Sequence, residues 1–251
     1  MTDEATTFDH QDLTGAEFSH VDLSRAVFRN VDLTGARLLG VDLVDVEIHG
    51  DVDNVVVNGV DIAPLVEAEL DRRHPGRAAM RPTDVAGYRA AWDLLESLWA
   101  DTVAKARTLP PEQLHASVDG EWSFIQTLRH LAFATDSWVN RMILGDPRPW
   151  HPLSLPWDDM TPDPAVPWDR DARPSLEEAL ALREDRFATV RRVLDDLTEE
   201  QLASETTPVE GPGWPPPRAF PVQQCLRIVL NEEWHHRMYA ERDLDALLAR
   251  A

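Results

Sequence analysis

Phe8, Leu13, Phe18, Leu23, Phe28, Leu33, Leu38, Leu43 and Ile48 follow one another at intervals of five residues. Two positions ahead of most of them stand small apolar residues: Ala16, Val21, Ala26, Val31, Ala36, Val41 and Val46. Asp12, Asp22, Asp32 and Asp42 return every ten. A period of five matches neither the 3.6 of an α-helix nor the 2 of a strand. It matches a solenoid in which each step forms one side of a coil and turns one bulky side chain inward.

This register resembles the pentapeptide-repeat family. The resemblance implies a right-handed, four-sided β-helix with roughly twenty residues to a coil, so the nine steps make slightly more than two coils. So short a solenoid needs a cap or a neighbouring domain. DNVVVNGVDI reads as a strand that continues or closes it, and APLVEAELDRR as a short helix with proline in its first turn. Long acidic members of the family imitate DNA and bind topoisomerases. Two coils are short for that, and the expected role is a structural or dimer-forming accessory. HPGRAAMRP carries turn residues without periodicity, which places a domain boundary after Arg73 and divides the chain into 1–73 and 84–251.

From Asp84 the period changes to that of a helix. Tyr88, Ala91, Trp92, Leu95, Trp99 and Val103 mark a first helix over 84–108. Ser123 with Gln126 forms a capping box that opens a second, running to Gly145. Ser175 with Glu178 opens a third, to Leu197, and a fourth spans 221–249. Residues 146–174 are rich in Pro and Trp, too long for a simple connection and too aromatic for a linker; Trp150, Trp157 and Trp168 are candidates to line a pocket mouth. Four long helices predict a four-helix bundle, a fold that builds metal sites from side chains on facing helices.

The net charge of −21 argues against binding nucleic acid through its phosphates. No segment has the ~20 apolar residues of a membrane span, and the acidic N-terminus is not a signal peptide. The single cysteine, Cys225, excludes a disulfide framework, fits a reducing cytoplasm, and reads as a buried, inert thiol among apolar neighbours.

In the fourth helix, Val222, Cys225, Val229, Glu232, His236 and Ala240 share one face, which its apolar members turn inward. Glu232 and His236 then sit ~6 Å apart along the axis, close enough to converge on one ion. An ionised, unpaired glutamate there is costly, so it needs an arginine, a proton or a metal. A phase shift of one residue, about 100°, would bring Glu233 or His235 inward instead. On the second helix His130 lies in an otherwise apolar run and supplies a third ligand. Two histidines and one carboxylate suit Zn²⁺, Fe²⁺, Mn²⁺ or Ni²⁺.

EWSFIQTLRHLAFATDSWV and NEEWHHRMYAERDLDAL resemble the second and fourth helices of the DinB-like superfamily, over about residues 84–249. That superfamily includes mycothiol-dependent maleylpyruvate isomerases and thiol S-transferases. The resemblance implies an up-down-down-up bundle holding one divalent metal by His130, by His236, and by the position of Glu232, where the family usually has histidine. The carboxylate adds negative charge and hardens the site toward Fe²⁺ or Mn²⁺. It also implies a low-molecular-weight thiol such as mycothiol as cosubstrate and a small electrophilic acceptor. Tyr239 and Arg242, about a turn or more beyond His236, are candidates to steer an anionic thiol or acceptor. Asp136 is a candidate to orient a ligand, or a surface aspartate. The expected function is a metal-dependent S-transferase or isomerase. The rival is a non-catalytic protein whose acidic repeats bind a protein partner as a DNA mimic, with the bundle as scaffold.

Overall fold

A computed structural model describes residues 6–50 and 52–250. The chain forms two compact units, the second beginning at Val52.

In the first unit the ten-residue aspartate period is a turn period. Asp12, Asp22 and Asp32 each accept a hydrogen bond from the backbone N–H two residues on, at Thr14, Ser24 and Thr34, over 2.8–2.9 Å. These local bonds are the Asx turns that short acidic side chains favour. The backbone N–H groups of Ala16, Ala26 and Ala36 close the same turns on the carbonyls of Leu13, Leu23 and Leu33. Gly15 and Gly35 take the left-handed conformation that each turn needs. The expected burial of the five-residue stripe does not follow. No strand occurs among residues 6–50, and every one of them is exposed, Phe28 to 63 %. Turn chemistry is local and needs only Asp, Gly and small residues. Burial needs one coil stacked on another, and with slightly more than two coils there is little to stack against.

The second unit opens with a hairpin, β1 (Val56–Val57) and β2 (Val60–Asp61), around Asn58 and Gly59, both at positive φ. That pairing is the usual sequence for a tight two-residue hairpin turn. α1 (Ala63–Arg73) has the expected proline at its start. Arg77 ties it down by reaching back to Glu67 and Asp71 over 2.7–2.8 Å, and Arg81 does likewise. Met80, just beyond, is part of the helical core. The hairpin and α1 therefore belong with the helices. The expected break after Arg73 falls instead before Val52, because these ion pairs bridge the turn residues that seemed to mark a boundary.

α2 (Val85–Ala106) is capped by Asp84. α3 (Phe124–Thr135) and α4 (Leu176–Asp196) both begin with the capping boxes that the sequence shows, Ser123 with Gln126 and Ser175 with Glu178. A short α5 (Glu199–Leu202) precedes α6 (Val222–Leu248). α2, α3, α4 and α6 pack around a core that includes Trp92, Leu95, Leu194 and Leu230. Past Thr135, α3 widens into a π-helical turn over Asp136–Arg141.

Two buried arginines hold the long loops. Arg129 donates to the carbonyls of Leu153 and Ala172 at 2.7 and 2.9 Å, and also to Asp169. Arg141 donates to Pro147, Val209, Gly211 and Pro215. Buried guanidinium groups require such partners, and buried loop carbonyls require donors.

Candidate metal centre

His130 of α3 and Glu232 and His236 of α6 come together in one cluster. One ligand atom from each lies within 4.8 Å of the others. A Glu232 oxygen is 3.4 Å from His130 Nε2 and 3.1 Å from His236 Nε2. The i, i+4 spacing aligns the α6 pair on one face. Burial pushes the Glu232 carboxyl up, but hydrogen bonds and charge from His130 and His236 outweigh it, and its pKa is lowered.

His130 is oriented from outside. Its Nδ1 lies 2.9 Å from the Leu155 carbonyl, which accepts only, so Nδ1 carries a proton and Nε2 is the nitrogen that faces the cluster. A ring held by a backbone carbonyl through its second nitrogen is the usual support for a histidine ligand. The long loop thus does cover something. Leu155 N–H in turn donates to the Arg129 carbonyl, next to His130 in sequence, which fixes the loop's register on α3.

Donor atoms sharing one ion at ~2.0–2.2 Å lie roughly 3–3.5 Å apart. The two spacings at Glu232 fit that, and the chemistry of two imidazoles and one carboxylate fits a divalent cation.

Rings surround the cluster. Trp122 stacks on His236, with centroids 5.7 Å apart and planes 12° apart, and tilts against His130 at 4.4 Å. Its Nε1 donates to the Asp158 carboxylate of the long loop. Sequence reasoning missed Trp122; the available signal was an aromatic residue directly ahead of the Ser123 cap. Tyr239 meets His236 edge-on at 6.2 Å and is 47 % exposed. Arg242 is held by Asp243 at 2.7 Å and lies over Tyr239, so it adjoins the cluster only through that ring.

Two carboxylates differ from expectation. Glu233 does not sit to the side: its side chain is 1 % exposed and pairs with Arg183 of α4 at 2.6 Å, whereas Glu232 is half-buried. Asp136 is neither a surface residue nor a partner of His130. It is fully buried, held by Arg186, Asn140 and Ser154. Burial raises its pKa despite those partners. Trp150 is buried and donates to Ser137, while Trp157 and Trp168 are half-buried against the apolar group that Trp150 forms with Phe133, Met160 and Val166. Cys225 is fully buried, and burial raises its thiol to about 12.

A model of the DinB superfamily matches residues 94–240, which contain the whole cluster. Pentapeptide repeats match in eight copies over residues 12–50. No curated protein and no solved structure matches the chain. No helix among the described residues is long and apolar enough to cross a membrane.

Proposed function

We propose that this chain, which belongs to the DinB superfamily and carries pentapeptide repeats at its N-terminus, is a metal-dependent enzyme that transfers or isomerises through a low-molecular-weight thiol. The observation that carries this reading is the convergence of His130, Glu232 and His236, with His130 aligned by the Leu155 carbonyl. These three residues hold the ion, and other directions around it are left for a small molecule. A divalent cation so held supplies Lewis acidity, which favours the deprotonated, nucleophilic form of a small thiol near neutral pH.

The chain's own residues do the rest. Leu155 keeps His130 in the tautomer that faces the ion. Glu232 contributes negative charge, which favours Fe²⁺ or Mn²⁺ over Zn²⁺ relative to a three-histidine site. Trp122 and Phe133 limit water on two sides of the rings. Tyr239 lies at the exposed edge, where it can orient thiol or acceptor, with Arg242 beside it. Cys225 is buried and its pKa is raised, so it is not the nucleophile; in this reading a cosubstrate such as mycothiol supplies it. The acceptor is a small electrophile; nucleic acid is disfavoured by the charge of −21.

Metal analysis after mild purification tests this. About one ion per chain is expected in the native protein and a loss of most of it in His236→Ala. A metal-free native protein would sink the proposal.

A second reading concerns the repeats. Their bulky apolar side chains are exposed, and a second copy has the same five-residue pitch to set against them. We infer that the repeats complete a right-handed β-helix when two chains associate, which makes them a dimer-forming accessory to a cytoplasmic enzyme. The DNA-mimic reading predicts inhibition of gyrase supercoiling at micromolar protein, and none is expected.

A further inference from the structure

The two histidines of the cluster are supported in different ways. His130 gives its Nδ1 to the Leu155 carbonyl at 2.9 Å. His236 turns Nε2 toward Glu232 at 3.1 Å, and its Nδ1 has no hydrogen bond to any described residue. A metal-ligating histidine is ordinarily held through its second nitrogen by a carboxylate, a carbonyl or water. The backbone of α6 fixes where the His236 side chain begins, but the last torsion of a histidine is broad and leaves the plane of the ring open. Another group must set that plane.

Trp122 is placed to do so. It lies nearly parallel to the His236 ring, with planes 12° apart and centroids 5.7 Å apart, and it meets His130 at 4.4 Å, so one indole touches both histidines. Exposed Tyr239 reaches His236 only edge-on, at 6.2 Å. Trp122 directly precedes the Ser123 cap of α3 and follows a turn in which Asp119 and Gly120 both take positive φ. Its Nε1 donates to both Asp158 oxygens at 3.3 Å. Arg170 pairs with the same carboxylate and lies over the Trp168 ring, 4.8 Å from its centroid. Asp158 stands three residues beyond Leu155 on the long loop.

We infer that Trp122 is a positioning residue for His236 and that Asp158 latches it, so that one loop aims both histidines. Leu155 aims His130 by a hydrogen bond, and Asp158 aims His236 through the indole. The inference rests on the metal-dependent reading above and adds how its second imidazole is held. A stacked pair resists rotation of either ring because tilting gives up contact between their faces. The N–H anchor keeps the indole itself from swinging away.

Zn²⁺ affinity of the full chain, measured by competition with a chromophoric chelator, tests this without catalytic turnover. Trp122→Leu should weaken binding about tenfold or more, as loss of a ligand's support does. Trp122→Phe keeps a ring but loses the N–H. Asp158→Ala keeps the indole but loses its acceptor, while Arg170 still donates to the residue 158 carbonyl, so the loop stays attached. Each of these two should weaken binding about threefold, the effect of one modest hydrogen bond. Combined, they should weaken it no further than either alone, because both remove the same latch. The thermal midpoint of metal-free Asp158→Ala should match the native chain, which separates aiming of the ring from folding. Native affinity in Trp122→Leu, or losses that multiply in the double variant, would overturn the positioning role and leave the metal-dependent reading standing. A native chain that binds no Zn²⁺ would overturn both.

Discussion

A step of one residue along α6 turns a side chain by about 100°. At Glu232 and Glu233 that step separates a half-buried carboxylate facing two imidazoles from a fully buried one facing Arg183. Helical phase identified Glu232 and His236 as a pair, and His130 stood out as a histidine in the apolar run of the second helix, a set the resemblance then matched. The depth of Glu233 was not legible, because its partner lies on α4 and nothing local to α6 announces it. Arg183 Nη1 and Glu233 Oε1 have no hydrogen-bond partner among the described residues, which makes the pair costly to break. Arg183→Met leaves the carboxylate buried and uncompensated and should cost about 3–5 kcal/mol in urea unfolding. Adding Glu233→Leu should recover most of that loss; a double variant no more stable than the single would refute the pair's role. Two further buried groups set the alkaline limit. Burial raises Tyr88 to about 12, and Cys225 reaches the same range. In the unfolded chain these groups lose their protons near their ordinary values of 10 and 9, while the folded chain keeps them. The folded state then binds more protons than the unfolded one, so stability should fall as pH rises from about 9 to 12. Thiol labelling of Cys225 at pH 8 should occur only as fast as the chain unfolds; rapid labelling of native protein would contradict its burial.

Among the elements, the helices were legible and the loops were not. Capping boxes at Ser123 and Ser175 announce α3 and α4 within a residue, since a cap is a short-range hydrogen-bond pattern. The π-helical turn over Asp136–Arg141 leaves no such mark. Neither does the path of the long loop, which depends on a guanidinium seated in an apolar run of α3. The only sequence signal was Arg129 itself, in LRHLAF, where a charge has no business unless something distant satisfies it. Arg129 holds the loop, the loop presents the Leu155 carbonyl, and that carbonyl orients His130. Arg129→Met should therefore speed hydrogen exchange across residues 146–174 and weaken metal binding about 10–100-fold, the range for lost support of a ligand. Unchanged metal affinity in a variant whose loop exchanges freely would show that Leu155 does not hold His130 for binding.

At the scale of the molecule, the candidate centre and its supports all lie in the unit that begins at Val52. The repeats contribute turns and apolar side chains, yet none of residues 6–50 is buried. The five-residue period was legible because turn chemistry repeats in the sequence. What covers the stripe was not, because stacking depends on how many coils are available and a short repeat does not state its partner. Exposed Phe and Leu side chains on this scale are unusual for a monomer and mark interaction surfaces. If a second copy covers them, the full chain should run as a dimer at micromolar concentration in light scattering. A chain beginning at Val52 should be monomeric and keep its metal and its thermal midpoint. Phe18→Glu with Phe28→Glu should also yield a monomer, since two carboxylates cannot be seated in an apolar contact without compensation. A monomeric full chain would remove the dimer and leave the exposed stripe to a different protein. A dimer that survives loss of residues 1–51 would move the contact to the helical unit and detach the repeats from assembly altogether.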